Sequence, residues 1–203
     1  MHFTLADLIT DITQNGAEAD STVVELDVQQ ALHPDGTGEF RFTVKDNGKG
    51  MTESELKRAQ DPFVTDGIKH PNRKVGLGLP FLIQTAEQSG GGWAMSSVKR
   101  PLPDCGTTVN AWFDLGNVDT PPLGDIPGMF RTVLLFQGPD EVLIRRDKKS
   151  PETSVNYELR KTDLIEALGS LEEAQSLVLL DKYLRSLEDD VSEEDSSTDA
   201  DDV

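Results

Sequence analysis

The stretch Lys74-Val75-Gly76-Leu77-Gly78-Leu79-Pro80, continuing as FLIQTAEQSGGG to Gly92, places two closely spaced glycines at the mouth of a helix. Pro80 suits the first helical turn, where its missing N–H has no intrahelical partner to lose. Phe81, Leu82, Ile83 and Ala86 supply the apolar side, and Gly90-Gly91-Gly92 ends the helix. Backbone N–H groups exposed at a helix N-terminus favour an anion. Two familiar phosphate loops do not fit. A dinucleotide-binding loop needs a strand before it and a third glycine, and a Walker A loop needs G-K-[ST], which occurs nowhere in the chain.

Upstream, Leu5, Leu8, Ile9 and Ile12 recur at helical spacing, so Leu5–Glu18 is expected to be an amphipathic helix capped by Thr4 and Asp7. Asp11 and Asn15, four residues apart, project from one face of it. Two strands follow, Thr22–Val28 and Glu39–Asp46, joined by the turn HPDGTG. With a side-chain period of two, Phe40, Phe42, Val44 and Asp46 share a face, so a carboxylate ends an apolar row. It opens the run Asp46-Asn47-Gly48-Lys49-Gly50-Met51. Thr52 and Glu55 then cap a short helix ending near Asp61-Pro62, and Pro62-Phe63-Val64-Thr65 begins a charged loop reaching Lys74.

Downstream, strands are expected at Trp93–Val98 and Thr107–Phe113, the second opened by Gly106-Thr107-Thr108. A Pro- and Gly-rich stretch, Gly116 to Gly128, reads as a linker or long surface loop. Beyond it a hairpin is expected from Thr132–Phe136 and Glu141–Arg146, with a further strand at Val155–Leu159. Asp163 with Glu166 would cap a helix ending at Gly169, and Ser170 with Glu173 a second one through Leu187. Leu177, Leu180, Leu184 and Leu187 have helical spacing, which most often means core packing. Residues 188–203 hold nine acids and no Lys or Arg, so an acidic, disordered tail is expected. The domain organisation follows: 1–116, a C-terminal hairpin and helical segment at 117–187, and the tail.

The chain of 203 residues carries a net charge of −18, which repels nucleic acid. The single Cys105 cannot form an internal disulfide and suits a reducing cytoplasm. No apolar run approaches the roughly 20 residues of a membrane span, and the acidic N-terminus is unlike a signal peptide.

Taken singly, each motif has an ordinary explanation as a polar helix face or a turn after a strand. Their order is more specific. A helix with acid-x-x-x-Asn, a strand ending in D-x-G-x-G-M, P-F-x-T, G-L-G-L before a helix and G-T-T before a strand together resemble the GHKL ATP-binding superfamily of gyrase, heat-shock chaperones, histidine kinases and MutL. The resemblance covers about residues 5–114 and is strongest to histidine kinases at Lys74–Gly92. It implies an α+β fold, a two-layer α/β sandwich of the Bergerat type, binding ATP and Mg²⁺.

By that resemblance Asp46 would accept from the adenine amine, with Gly48, Gly50 and Met51 lining the base and ribose. Thr107 or Thr108 would complete the base contacts. Gly76, Leu77, Gly78 and Leu79 would cradle the phosphates, with Phe63 opening a mobile lid that runs to Lys74. Asn15 would hold Mg²⁺ and Asp11 would activate water. The chain departs from the pattern at Asp11, where the family usually has Glu, and at Asp66, where related kinases often have a Lys; Lys69, Arg73 or Lys74 would have to substitute. The sequence contains no phosphoacceptor-His hairpin ahead of the motifs, so a self-phosphorylating histidine kinase is not expected. Its start inside the first motif helix leaves a sheet edge that the hairpin at Thr132–Arg146 would cover.

The leading expectation is an ATP-binding regulatory subunit or switch with slow hydrolysis, meeting a protein partner through the C-terminal segment. The alternatives are an anti-sigma-factor-type serine kinase and a binder in which ATP is only structural.

Overall fold

Alternation along one strand pair sets the architecture. In β1 (Val23–Leu32) and β2 (Gly38–Asp46), Val24, Leu26, Val28, Phe40, Phe42 and Val44 all point to one face and are essentially inaccessible to water. The opposite face carries Glu25, Asp27, Arg41 and Lys45, whose charges need solvent or partners. The computed structural model, which describes residues 3–61, 78–152 and 154–188, builds a six-stranded sheet on this pair. Helices pack on its apolar face. The other face is a lattice of ion pairs such as Lys45–Glu25 and Arg145–Asp27. The result is a two-layer α/β sandwich, as expected.

The remaining elements are α1 (Leu5–Ala17), α2 (Glu53–Gln60), α3 (Gly78–Gln88), β3 (Gly92–Val98), β4 (Gly106–Asp114), α4 (Ile126–Leu134), β5 (Glu141–Lys149), β6 (Ser154–Arg160), α5 (Lys161–Leu168) and α6 (Ala174–Glu188). The strand order is β3-β4-β2-β1-β5-β6, antiparallel except where β5 runs parallel to β1. Leu5, Leu8, Ile9 and Ile12 of α1 are buried against the sheet, each stabilising the fold by about 1.5–3 kcal/mol. Thr4 and Asp7 form the expected capping box. The next two N–H groups, of Leu5 and Ala6, are satisfied by the carbonyls of Pro122 and Leu123. The proline-rich stretch therefore packs on the start of α1.

Four expectations are corrected. Residues Thr132–Leu134 belong to α4 instead of a strand. Asp125 caps that helix through the Gly128 N–H at 3.1 Å, and Ile126, Met129, Phe130, Val133 and Leu134 bury one helical face. A short apolar run such as Val133–Phe136 fits either period, and here the cap decides. The hairpin is instead β5–β6, and β5 covers the open edge of β1.

The α5 helix begins at Lys161, before Asp163. Its Thr162 hydroxyl and N–H both donate to Glu141, at 2.6 and 3.3 Å, so a strand residue 21 positions away serves the helix end. The α6 helix begins at Ala174, after the Ser170–Glu173 turn. Glu188, expected in the acidic tail, ends α6 and pairs with the buried Arg146 at 2.9 Å, while Tyr157 Oη donates to it at 2.7 Å. The rest of that tail, 189–203, lies outside the described residues. Leu180 and Leu184 are fully buried, and Leu187 packs partly buried against the same core.

Candidate functional site

Asp46 ends β2 on the apolar face and is only 7% exposed. Three glycines border it, two of them where no side chain fits. A methyl on Gly16, in α1, would stand 3.4 Å from Asp46 Cβ and 3.5 Å from Oδ2. Gly50 has φ +59 and Gly106 has φ +136, a region that L side chains rarely adopt. Any side chain there would strike the Val98 or the Asp46 carbonyl, respectively. The turn after Asp46 is pinned twice: Lys49 N–H donates to the Ala19 carbonyl at 2.8 Å, and Arg100 N–H donates to the Lys49 carbonyl at 2.9 Å.

The carboxylate itself accepts the Gly48 N–H at 2.8 Å on Oδ1. Burial pushes its pKa above the ordinary 3.8, outweighing the opposite pull of the Gly48 and Thr107 N–H groups. Asn47 has a structural task. Its Oδ1 accepts the N–H groups of Thr22 and Val23, at 2.9 and 3.0 Å, at the start of β1.

The sheet register separates the two candidate threonines. Thr107 pairs with Asp46 and shares its face, whereas Thr108 pairs with Lys45 and faces the other side of the sheet. Two residues that the motifs do not single out join the site. Gly16 is one. The other is Ser97 on β3, whose Oγ receives the Met51 N–H at 2.8 Å and lies 2.9 Å from Thr107 Oγ1. Strict alternation of Trp93, Met95 and Ser97 on the inner face is the sequence signal that could have found Ser97.

At the other end of the site, α1 and the start of α3 meet. A methyl on Gly78 would lie 3.5 Å from Asp11 Cβ and 3.9 Å from Asn15 Nδ2. Asp11, Asn15 and Gly78 therefore converge, and Gly16, the residue after Asn15, links that group to Asp46. Leu79 is partly buried against the core. Phe63, Gly76 and Leu77, with the segment up to Lys74 expected to form a lid, lie outside the described residues.

Among the described residues no cluster of three His, Cys, Asp or Glu is arranged to hold a metal. Asp11 and Asn15, one turn apart on α1, carry hard oxygen donors that would suit an ion such as Mg²⁺ with further oxygens from phosphate and water. No described helix is long and apolar enough to cross a membrane. A separate cavity of about 520 Å³, lined by Arg131, Thr132, Leu135, Phe136 and Leu177, includes none of these site residues.

A family model described as "Histidine kinase-, DNA gyrase B-, and HSP90-like ATPase" matches residues 2–117, more than half of the chain. Among solved structures, a mycobacterial sensor histidine kinase, MprB, is similar at 20% identity with a TM-score of 0.36, over 54% of this chain and 69% of that one.

Proposed function

The chain belongs to the histidine kinase-, DNA gyrase B- and HSP90-like ATPase family, and from that premise we propose that it is an ATP-dependent switch that holds the nucleotide between Asp46 and the Asp11–Asn15–Gly78 group. Domains of this family bind ATP, so the family supports the ligand and the geometry supports the assignment of residues. The observation that carries the reading is the buried carboxylate of Asp46 beside Gly16, one residue along α1 from Asn15.

In this reading Asp46 accepts from the adenine amine. A carboxylate there opposes guanine, which presents a carbonyl oxygen in the same place. Gly48, Gly50 and Met51 form the turn beside the base, and Thr107 stands next to Asp46. Gly78 offers its backbone N–H to phosphate at the N-terminus of α3, and the family resemblance assigns the same task to Gly76 and Leu77. Asn15 gives its amide oxygen to Mg²⁺, which neutralises phosphate charge when bound. Asp11 takes a proton from the attacking water. Its carboxylate is one methylene shorter than that of Glu, which makes hydrolysis slow.

Residues 1–116 form the nucleotide unit in this reading, and 117–187 carry the partner contact. Exposed Ile165 on α5, and Val178, Leu179 and Tyr183 on α6, support that second role. Strand β5 continues the sheet beside β1 and β6 pairs with β5, so the sheet that carries Asp46 extends directly to the C-terminal segment. Titration of adenine and guanine nucleotides into the parent and Asp46→Ala tests the site directly.

A further inference from the structure

Ser97 makes three hydrogen bonds through one hydroxyl. Its Oγ accepts the Met51 N–H at 2.8 Å, reaches the Gly106 carbonyl at 2.9 Å, and meets Thr107 Oγ1 at 2.9 Å. A hydroxyl has one proton and two lone pairs. The Met51 N–H can only donate and the Gly106 carbonyl can only accept. The serine proton therefore goes to Gly106, one lone pair serves Met51, and the other lone pair takes the Thr107 proton. Thr107 is left with lone pairs alone.

Thr107 stands opposite Asp46 in the β2–β4 register and on the same face. Cross-strand neighbours of this kind have Cβ atoms about 4.5–5.5 Å apart. We propose that Ser97 is a positioning residue that holds Thr107 as a second acceptor beside Asp46, so that the base-facing wall takes both N–H groups of an exocyclic amine. This inference rests on the reading of Asp46 as the adenine contact. It adds a selectivity device that Asp46 alone does not supply, because a freely rotating Thr107 could present its proton to the same wall.

The test compares two nucleotides by calorimetry with Mg²⁺: ATP, and purine riboside 5′-triphosphate, which lacks the amine and keeps every ring atom. The parent should prefer ATP. Ser97→Ala releases the Thr107 proton, and the preference should fall roughly 3- to 10-fold, the range of one neutral hydrogen bond. Ser97→Thr keeps the hydroxyl and should keep the preference. Thr107→Val should lower it by a similar factor, and adding Ser97→Ala to Thr107→Val should lower it no further.

A serine that only braces the strand would weaken both nucleotides alike and leave their ratio unchanged, which overturns the proposal. If Ser97→Ala does not fold, an unchanged ratio in Thr107→Val overturns it equally. A parent indifferent to the amine overturns the Asp46 reading and this one together. A parent that prefers ATP, with a ratio insensitive to Ser97 and Thr107, overturns this one alone.

Discussion

Gly16 of α1 and Asp46 of β2 are in close contact, near enough that a methyl on the glycine would stand 3.5 Å from the carboxylate Oδ2. That gap is ordinary van der Waals contact, so Gly16→Ala should fit. It also removes a glycine from the last turn of α1, which should stabilise the fold by about 0.4–1 kcal/mol through the unfolded chain. Gly16→Val is expected to do the opposite, costing about 1–3 kcal/mol through overpacking and weakening ATP binding by displacing Asp46. Thermal melts of both variants check this. A destabilised alanine variant would show that the α1–β2 approach is tighter than described.

Asp46 should trade stability against binding. Burial raises its pKa, so the folded protein holds the proton more tightly than the unfolded chain does. The ionised carboxylate therefore carries no penalty below the ordinary value of 3.8 and the full penalty above the raised one. Asp46→Asn should melt higher than the parent at pH 7, and that advantage should shrink as the pH falls through the window. ATP affinity of the parent should fall over the same window, because the amine prefers the charged acceptor. An asparagine variant less stable than the parent at pH 7 would contradict the assignment.

Much of this site is legible in the amino-acid sequence alone. Asp46 closes an apolar row in which Phe40, Phe42 and Val44 fix its face by period. Asp11 and Asn15 share a helix face for a similar local reason. The illegible parts are long-range. The alternation of Val109, Ala111 and Phe113 separates Thr107 from Thr108 locally, but only the β2–β4 register sets Thr107 opposite Asp46, and no local pattern states that register. The α5 helix takes its N-terminal partner from Glu141 on another strand, so the local Asp163 signal misplaces its start. The α4 helix resembles a strand because Val133–Phe136 fits two periods, and its cap, Asp125, lies well upstream of that run. Glu188 looks like part of a solvated acidic run, and only the fold brings Arg146 and Tyr157 beside it.

That last contact separates two truncations differing by one residue. Removing 189–203 should leave the melting temperature almost unchanged, since the segment has few apolar residues to bury. Removing Glu188 as well leaves Arg146, whose side chain is 1% exposed, without its carboxylate. Breaking a buried pair costs about 3–5 kcal/mol, so a drop of roughly 6–20 °C is expected. Differential scanning calorimetry of the two truncations decides, and equal melting temperatures would remove Glu188 from any structural role.

Asp11 should make hydrolysis slow but not absent. Steady-state phosphate release at saturating ATP is expected below the roughly 1 s⁻¹ floor of typical enzymes. Asp11→Asn should bind ATP and release less phosphate, because an amide cannot take the proton. Asp11→Glu should release more if reach is the limit. Asn15→Ala is the control, losing Mg²⁺-dependent affinity as well as turnover. Equal rates for the parent and Asp11→Asn would remove Asp11 from the chemistry.

The most direct test of the ATP site is calorimetric titration of ATP and GTP, each with Mg²⁺, into the parent and Asp46→Ala. The parent should prefer ATP strongly. Asp46→Ala should lose roughly 10- to 100-fold in ATP affinity, the equivalent of a charged hydrogen bond of about 1.5–3 kcal/mol. Equal affinity of the parent for ATP and GTP, or an Asp46→Ala variant that binds ATP as well as the parent does, would contradict the adenine site.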